Sequence, residues 1–198
     1  MKGYTISGVT PQQKMVAVNN RFGNNNIKSQ QGTTRVLFDS ILISPTQTEY
    51  RFFENSGSKV YPLTNIGSEG NRLNVGDTFV VQKIYFGYFT YDPDTNEISG
   101  FSPGLFSPGG LKGELSFQIA NSQVIKQLPI EMFSRADLNP TSVNNRDVAF
   151  DTFTDIVIPP LLEYVLSVRF ANQMTGENQY LVCFIEGSAG IIAPQTTF

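Results

Sequence analysis

Residues 162–170 read Leu162-Glu163-Tyr164-Val165-Leu166-Ser167-Val168-Arg169-Phe170. Leu162, Tyr164, Leu166, Val168 and Phe170 share one parity, and Glu163, Ser167 and Arg169 share the other. Successive side chains of an extended chain point to opposite faces, so this alternation builds a strand with one buried side and one wet side. The same period runs through Leu115, Phe117 and Ile119 against Ser116, Gln118 and Ala120. It returns in Val148, Phe150, Thr152, Thr154, Ile156 and Ile158, until Pro159-Pro160 stops the ladder for want of amide donors.

Outward from these segments the chain is more of the same. Thr78 to Tyr91 and Tyr180 to Ile185 are so continuously apolar that both faces of each are expected to be covered, which places them inside a sheet. Val36 to Ile43 opens the series. Tyr50–Phe53 and Lys59–Tyr61 flank Asn55-Ser56-Gly57 as a hairpin, and Asn121-Ser122 turns the chain into Val124–Phe133. No stretch keeps a 3.6-residue period long enough for a helix, and the links are too short for parallel crossovers. The expected fold is all-β: an antiparallel sandwich of roughly eight strands, the jelly-roll number, spanning residues 35–198.

Residues 1–34 differ in kind. They are rich in Asn, Gln and Gly, with apolar pieces only at Tyr4–Val9 and Met15–Val18, too little to form a core. Residues 1–38 carry Lys2, Lys14, Arg21, Lys28 and Arg35 and no acid, a charge of +5, while the rest of the chain is −8. A basic extended arm on an acidic body is the expected organisation. With 198 residues, 40% hydrophobic and 16% charged, the chain has the composition of a folded protein of one domain. Its 16 Phe and 8 Tyr without Trp, with 17 Gly and 11 Pro, are strand material punctuated by turn formers. The lone Cys183 excludes an intrachain disulfide and fits a reducing compartment. No targeting signal and no membrane span is expected.

The absence of histidine removes the Ser-His-Asp triad, the Cys-His pair and histidine metal clusters. Cys183, in the middle of Leu181-Val182-Cys183-Phe184-Ile185, reads as inert core filler. Paired acids are the remaining catalytic route, with Asp151 and Asp155, or Glu114 and Glu131, as the nominal pairs, yet nothing marks them out from a solvated strand face. Asp92, Asp94, Asn96 and Glu97 begin like an oxygen-ligand calcium loop, but the sixth position is Glu97 instead of Gly, so they read as a polar turn. Gly109–Gly113 and Gly187-Ser188-Ala189-Gly190 lack Walker spacing and read as loops. No catalytic residue, metal or cofactor is expected. Phe101 and Phe106, in the tandem Phe101-Ser102-Pro103-Gly104 and Phe106-Ser107-Pro108-Gly109, are candidate loop contacts. Lys2, Lys14, Arg21, Lys28 and Arg35 are candidate arm contacts to neighbouring subunits or nucleic acid; five charges supply only modest, sequence-independent affinity for phosphates.

A basic Asn/Gln-rich arm followed by an eight-strand sandwich without catalytic equipment resembles the single jelly-roll viral capsid proteins. The segments Arg51-Phe52-Phe53-Glu54-Asn55, Pro62-Leu63-Thr64-Asn65, Asn71-Arg72-Leu73 and Val75-Gly76-Asp77-Thr78-Phe79 are similar to bacteriophage virion proteins in particular. The resemblance implies a self-assembling capsid subunit, whether major, vertex or decoration protein, made in the host cytoplasm and resident in the virion. Its implied partners are copies of itself, other virion proteins and, through the arm, the genome. The alternative is a carbohydrate- or receptor-binding jelly roll that stacks sugars on Tyr85, Tyr88 or Tyr91, which the lack of Trp disfavours.

Overall fold

A computed structural model of the chain describes Gln13 and residues 30–54, 59–66, 71–103, 112–133, 149–174 and 178–192. Among the described residues the elements are β1 (Gln30–Leu42), β2 (Glu49–Phe52), β3 (Thr78–Asp92), β4 (Glu97–Pro103), β5 (Gly113–Ile119), β6 (Ser122–Pro129), a 3-10 turn (Ile130–Phe133), β7 (Phe150–Ile158), β8 (Tyr164–Phe170) and β9 (Gln179–Ile192). The chain is all-β, and every pairing between these strands is antiparallel. One sheet runs β1-β9-β3-β4, with β7 also on β3; the second runs β2-β8-β5-β6. With β4 set aside, the pairs nest: β1 with β9, β2 with β8, β3 with β7, β5 with β6.

The core lies between the sheets and sets a chain of aromatic rings among Leu, Ile and Val side chains. Phe52 of β2 meets Phe86 of β3 edge-on at 5.8 Å between ring centres, and Phe86 meets Phe133 of the 3-10 turn at 5.1 Å. Phe53 packs on Tyr164 at 5.4 Å and Tyr50 on Phe170 at 5.8 Å. Tilted and edge-on contacts of this kind set positive ring edges against negative faces and add roughly 0.5–1.5 kcal/mol each beyond the area buried.

β3 is central in its sheet, with β9 along one edge and β7 and β4 sharing the other, and it is buried on both faces: Phe79, Val81, Ile84 and Phe86 toward the core, Val80, Tyr85 and Phe89 on the opposite side. Its register slips between Val81 and Lys83, so the core-facing parity changes from Phe79 and Val81 to Ile84 and Phe86. Gly187 of β9 sits at this slip. A Cβ there would collide with the carbonyl oxygen of Val80. The segment Gly187–Gly190, read as a loop, is therefore strand, and its small residues allow the close approach of β3.

Other boundaries move for local reasons. Lys59–Tyr61 is not a strand, and β2 pairs with β8 in its place; the Lys59 ammonium is drawn onto Asp39 of β1, 2.9 Å away. The strand read to Phe133 ends at Pro129, after which Ile130 and Phe133 turn into the core. Phe101–Pro103, read as loop, closes β4, a ninth strand. β1 begins at Gln30, so residues 30–34, read as arm, are paired with the end of β9.

Candidate functional site

The two sheets show unlike outer faces. On β9, Leu181, Cys183 and Ile185 point into the core, which sends Tyr180, Val182 and Phe184 outward. Register then aligns Phe38 of β1, Phe184 of β9 and Tyr85 of β3 in one row. Tyr85 stacks on Phe184 at 4.8 Å and 14°, Phe38 lies 5.8 Å from it, and Phe101 of β4 meets it edge-on at 6.3 Å. A second row joins Phe89 to Tyr180, stacked at 5.6 Å, with Tyr91 edge-on to Tyr180 at 5.7 Å. Burial raises the Tyr180 hydroxyl pKa, and neighbouring Tyr91 adds to the rise. Phe101 remains 44% exposed, its ring lying over Gly87 so closely that a Cβ there would be 2.6 Å from it.

The second sheet turns charge outward. β2 buries Tyr50 and Phe52 and exposes Glu49 and Arg51. Across the ladder Glu49, Arg169 and Glu114 form one row, and Arg51, Ser167 and Ser116 the next. At one end of this face a polar cleft of about 200 Å³ is lined by Arg51, Glu54, Asn71, Gln118 and Glu163. Its charged groups are already paired: Arg51 lies 3.0 Å from Glu54, and Glu163 accepts from the neighbouring Arg72.

No family model, curated protein or solved structure matches the chain.

A buried polar joint connects the sheets. Asp39, on the inward parity of β1 with Leu37, is fully buried. Its carboxylate accepts the Phe53 amide at 2.7 Å and both its oxygens accept from Lys59 Nζ, at 2.9 and 3.0 Å. The segment carrying Lys59 then lies along the free edge of β1. Thr64 donates its hydroxyl to the Phe38 carbonyl at 2.9 Å; Asn65 donates Nδ2 to the Val36 carbonyl at 2.6 Å and accepts the Phe38 amide at 2.8 Å. Asn65 thus imitates a strand residue. Beside Asp39, burial first and the carboxylate second push the Cys183 thiol well up, so it stays protonated and inert.

Of the candidate contacts, Lys2, Lys14, Arg21, Lys28 and Phe106 lie outside the described residues. Arg35 belongs to β1, with its guanidinium 3.6 Å from Asp77; burial raises the Asp77 carboxyl and Arg35 partly offsets it. Phe101 is on the aromatic face. Tyr85 and Tyr91 share that face, but Tyr88 packs against the core, where burial raises its hydroxyl, so the three do not form one sugar platform. Asp92 accepts the Asp94 amide at 2.9 Å, and hydrogen bonds from Asp94 and Thr95 lower its pKa; Asn96 accepts from Tyr91 at 2.9 Å. Those side chains shape the β3–β4 turn. Asp151 lies 3.7 Å from Lys83 on an exposed edge, and Asp155, Glu114 and Glu131 are also on the surface or half-buried.

The Asp39–Lys59 joint is a feature that sequence reasoning passed over. The signal was an acid on the apolar parity of Val36–Ile43, since a buried charge needs a partner.

Proposed function

We propose that the chain is a jelly-roll capsid subunit that works by binding copies of itself and other virion proteins. The nested pairing supports the jelly-roll assignment: first strand with last and second with next to last is the order a long hairpin acquires when rolled into two sheets. The observation that carries the function is the contrast of outer faces. A fully solvated sandwich would have mainly polar residues on both; here the first sheet's outer face has one charged row, Asp151, Lys83 and Glu186, beside rings of which Tyr85 and Phe89 are already buried within the chain. The aromatic face, with Phe101 at its margin, suits contact with neighbouring copies, and exposed Val60, Tyr61, Val75 and Leu161 add apolar surface in the links after β2 and β7. The opposite charges of residues 1–38 and the remaining chain favour the same outcome between copies.

The test is the mass and electron-microscopic appearance of the purified full-length chain across concentration. Shells or discrete oligomers that weaken when residues 1–34 are removed are expected. A strict monomer at every concentration, alone and with the other virion proteins, would overturn the reading.

A further inference from the structure

Most outer strands of the two sheets carry a guard against edge-to-edge pairing. β4 breaks register with β3 and has a left-handed Gly100, φ 64°. β6 breaks register twice with β5 and contains Lys126, left-handed Gln127 and Pro129. β7 breaks register with β3 and carries Asp151 and Asp155. β2 is four residues long. On β1, Asn65 and Thr64 cover the edge at Val36 and Phe38.

Among the described residues the beginning of β1 has no such device. Its pairing with β9 runs without a slip from Gln30–Ile192 to Leu42–Tyr180. The hydrogen bonds of Phe38 to Asn65 show that its backbone amide and carbonyl point away from β9. Period two then sends the amides and carbonyls of Gln30, Gly32 and Thr34 to the same outer edge. Among the described residues no backbone group meets them; the one contact is the Thr33 hydroxyl, 3.3 Å from the Thr34 carbonyl. Gly32, Thr33 and Thr34 are exposed.

We propose that Gln30–Thr34 is a strand-addition edge that pairs antiparallel, about a twofold axis, with the same segment of a second copy. Resting on the capsid-subunit reading, this names one of its contacts. The segment is uncharged, so an antiparallel copy brings no like charges together, and the nearest charge, Arg35, already faces Asp77 of its own chain. An isologous contact must be self-complementary, and an unguarded, neutral, regular strand is. So short a pairing is weak alone, which suits a contact repeated many times in a closed shell.

The experiment is deuterium uptake of residues 30–36 in the full-length protein, assembled and dissociated, with sedimentation of two variants. Thr34→Pro removes an outward amide while leaving the β9 ladder intact; Thr33→Lys places like charges beside the twofold and decides the matter should the proline variant fail to fold. Assembly is expected to slow the outward amides by roughly ten-fold or more. Thr34→Pro should lose the contact, and Thr33→Lys should weaken it in a manner that added salt partly reverses. Unchanged uptake on assembly, or variants that associate like the parent, would overturn the edge and leave the capsid reading standing. Slow outward amides at every concentration would overturn the second copy as occupant. A parent chain that never associates would overturn both.

Discussion

The outer faces of the two sheets are built by the same rule and filled differently. On β8 and β5 the positions between core residues hold Val165, Ser167, Arg169, Ser116 and Gln118; on β9 and β3 they hold Tyr180, Phe184, Tyr85 and Phe89. Alternation alone therefore fixes which side chains face out, and their chemistry decides whether that side meets water or another surface. The second sheet is complete as a solvent face. The first sets a charged row, Asp151, Lys83 and Glu186, beside apolar side chains of which Val80, Tyr85, Phe89 and Val182 are already buried within the chain, and leaves Phe101 exposed at the margin.

Breaking the joint between the sheets should have the largest effect. Lys59→Met leaves Asp39 buried without its cation and is expected to cost about 3–5 kcal/mol in chemical denaturation. A loss below about 1 kcal/mol would mean that Asp39 is satisfied by other groups. Next comes the platform under the aromatic rows: Gly187→Ala drives a methyl into the Val80 carbonyl and should cost about 3 kcal/mol. An unchanged unfolding midpoint would contradict the tight β3–β9 approach.

The faces themselves can be compared by paired truncation. Phe184→Ala removes the ring shared by Phe38, Tyr85 and Phe101 and should cost roughly 2–3 kcal/mol, whereas Arg169→Ala on the second sheet should stay within about 0.5 kcal/mol. Equal costs would erase the distinction. The smallest effect is electrostatic. Tyr180 keeps its proton to higher pH in the folded chain than in the unfolded one, so above the ordinary tyrosine pKa of 10.0 the unfolded state binds fewer protons and stability falls as pH rises. Tyr180→Phe should flatten that alkaline limb, measured by denaturation at successive pH values; an unaltered slope would show that the face is too wet to hold the phenol neutral.

Much of this was legible in the sequence because period and parity are local. Leu162–Phe170 and Leu115–Ile119 read as half-buried strands, and Thr78–Tyr91 as a covered one, from side-chain order alone. Parity would also have shown that Tyr85 and Tyr91 share a face that Tyr88 does not. What escaped depends on partners distant in the chain. Gln30–Thr34 has weak strand character of its own and is held by the tail of β9, whose Gly187 and Gly190 look like loop residues until β3 is laid against them. Lys59 reads as strand until Asp39 claims it. The nested strand order leaves no local trace, since alternation reveals that a strand has a buried face but not which strand lies beside it.

The central claim, that the part of the aromatic face left open around Phe101 is covered by neighbouring copies while the second sheet's face is not, is tested most directly by hydroxyl-radical footprinting of the full-length chain in its assembled and dissociated forms. The account predicts that Phe101, Tyr180 and Phe184 lose reactivity on assembly while Val165 and Arg169 keep theirs. Unchanged reactivity at the three aromatics, or protection confined to the second sheet, would contradict it.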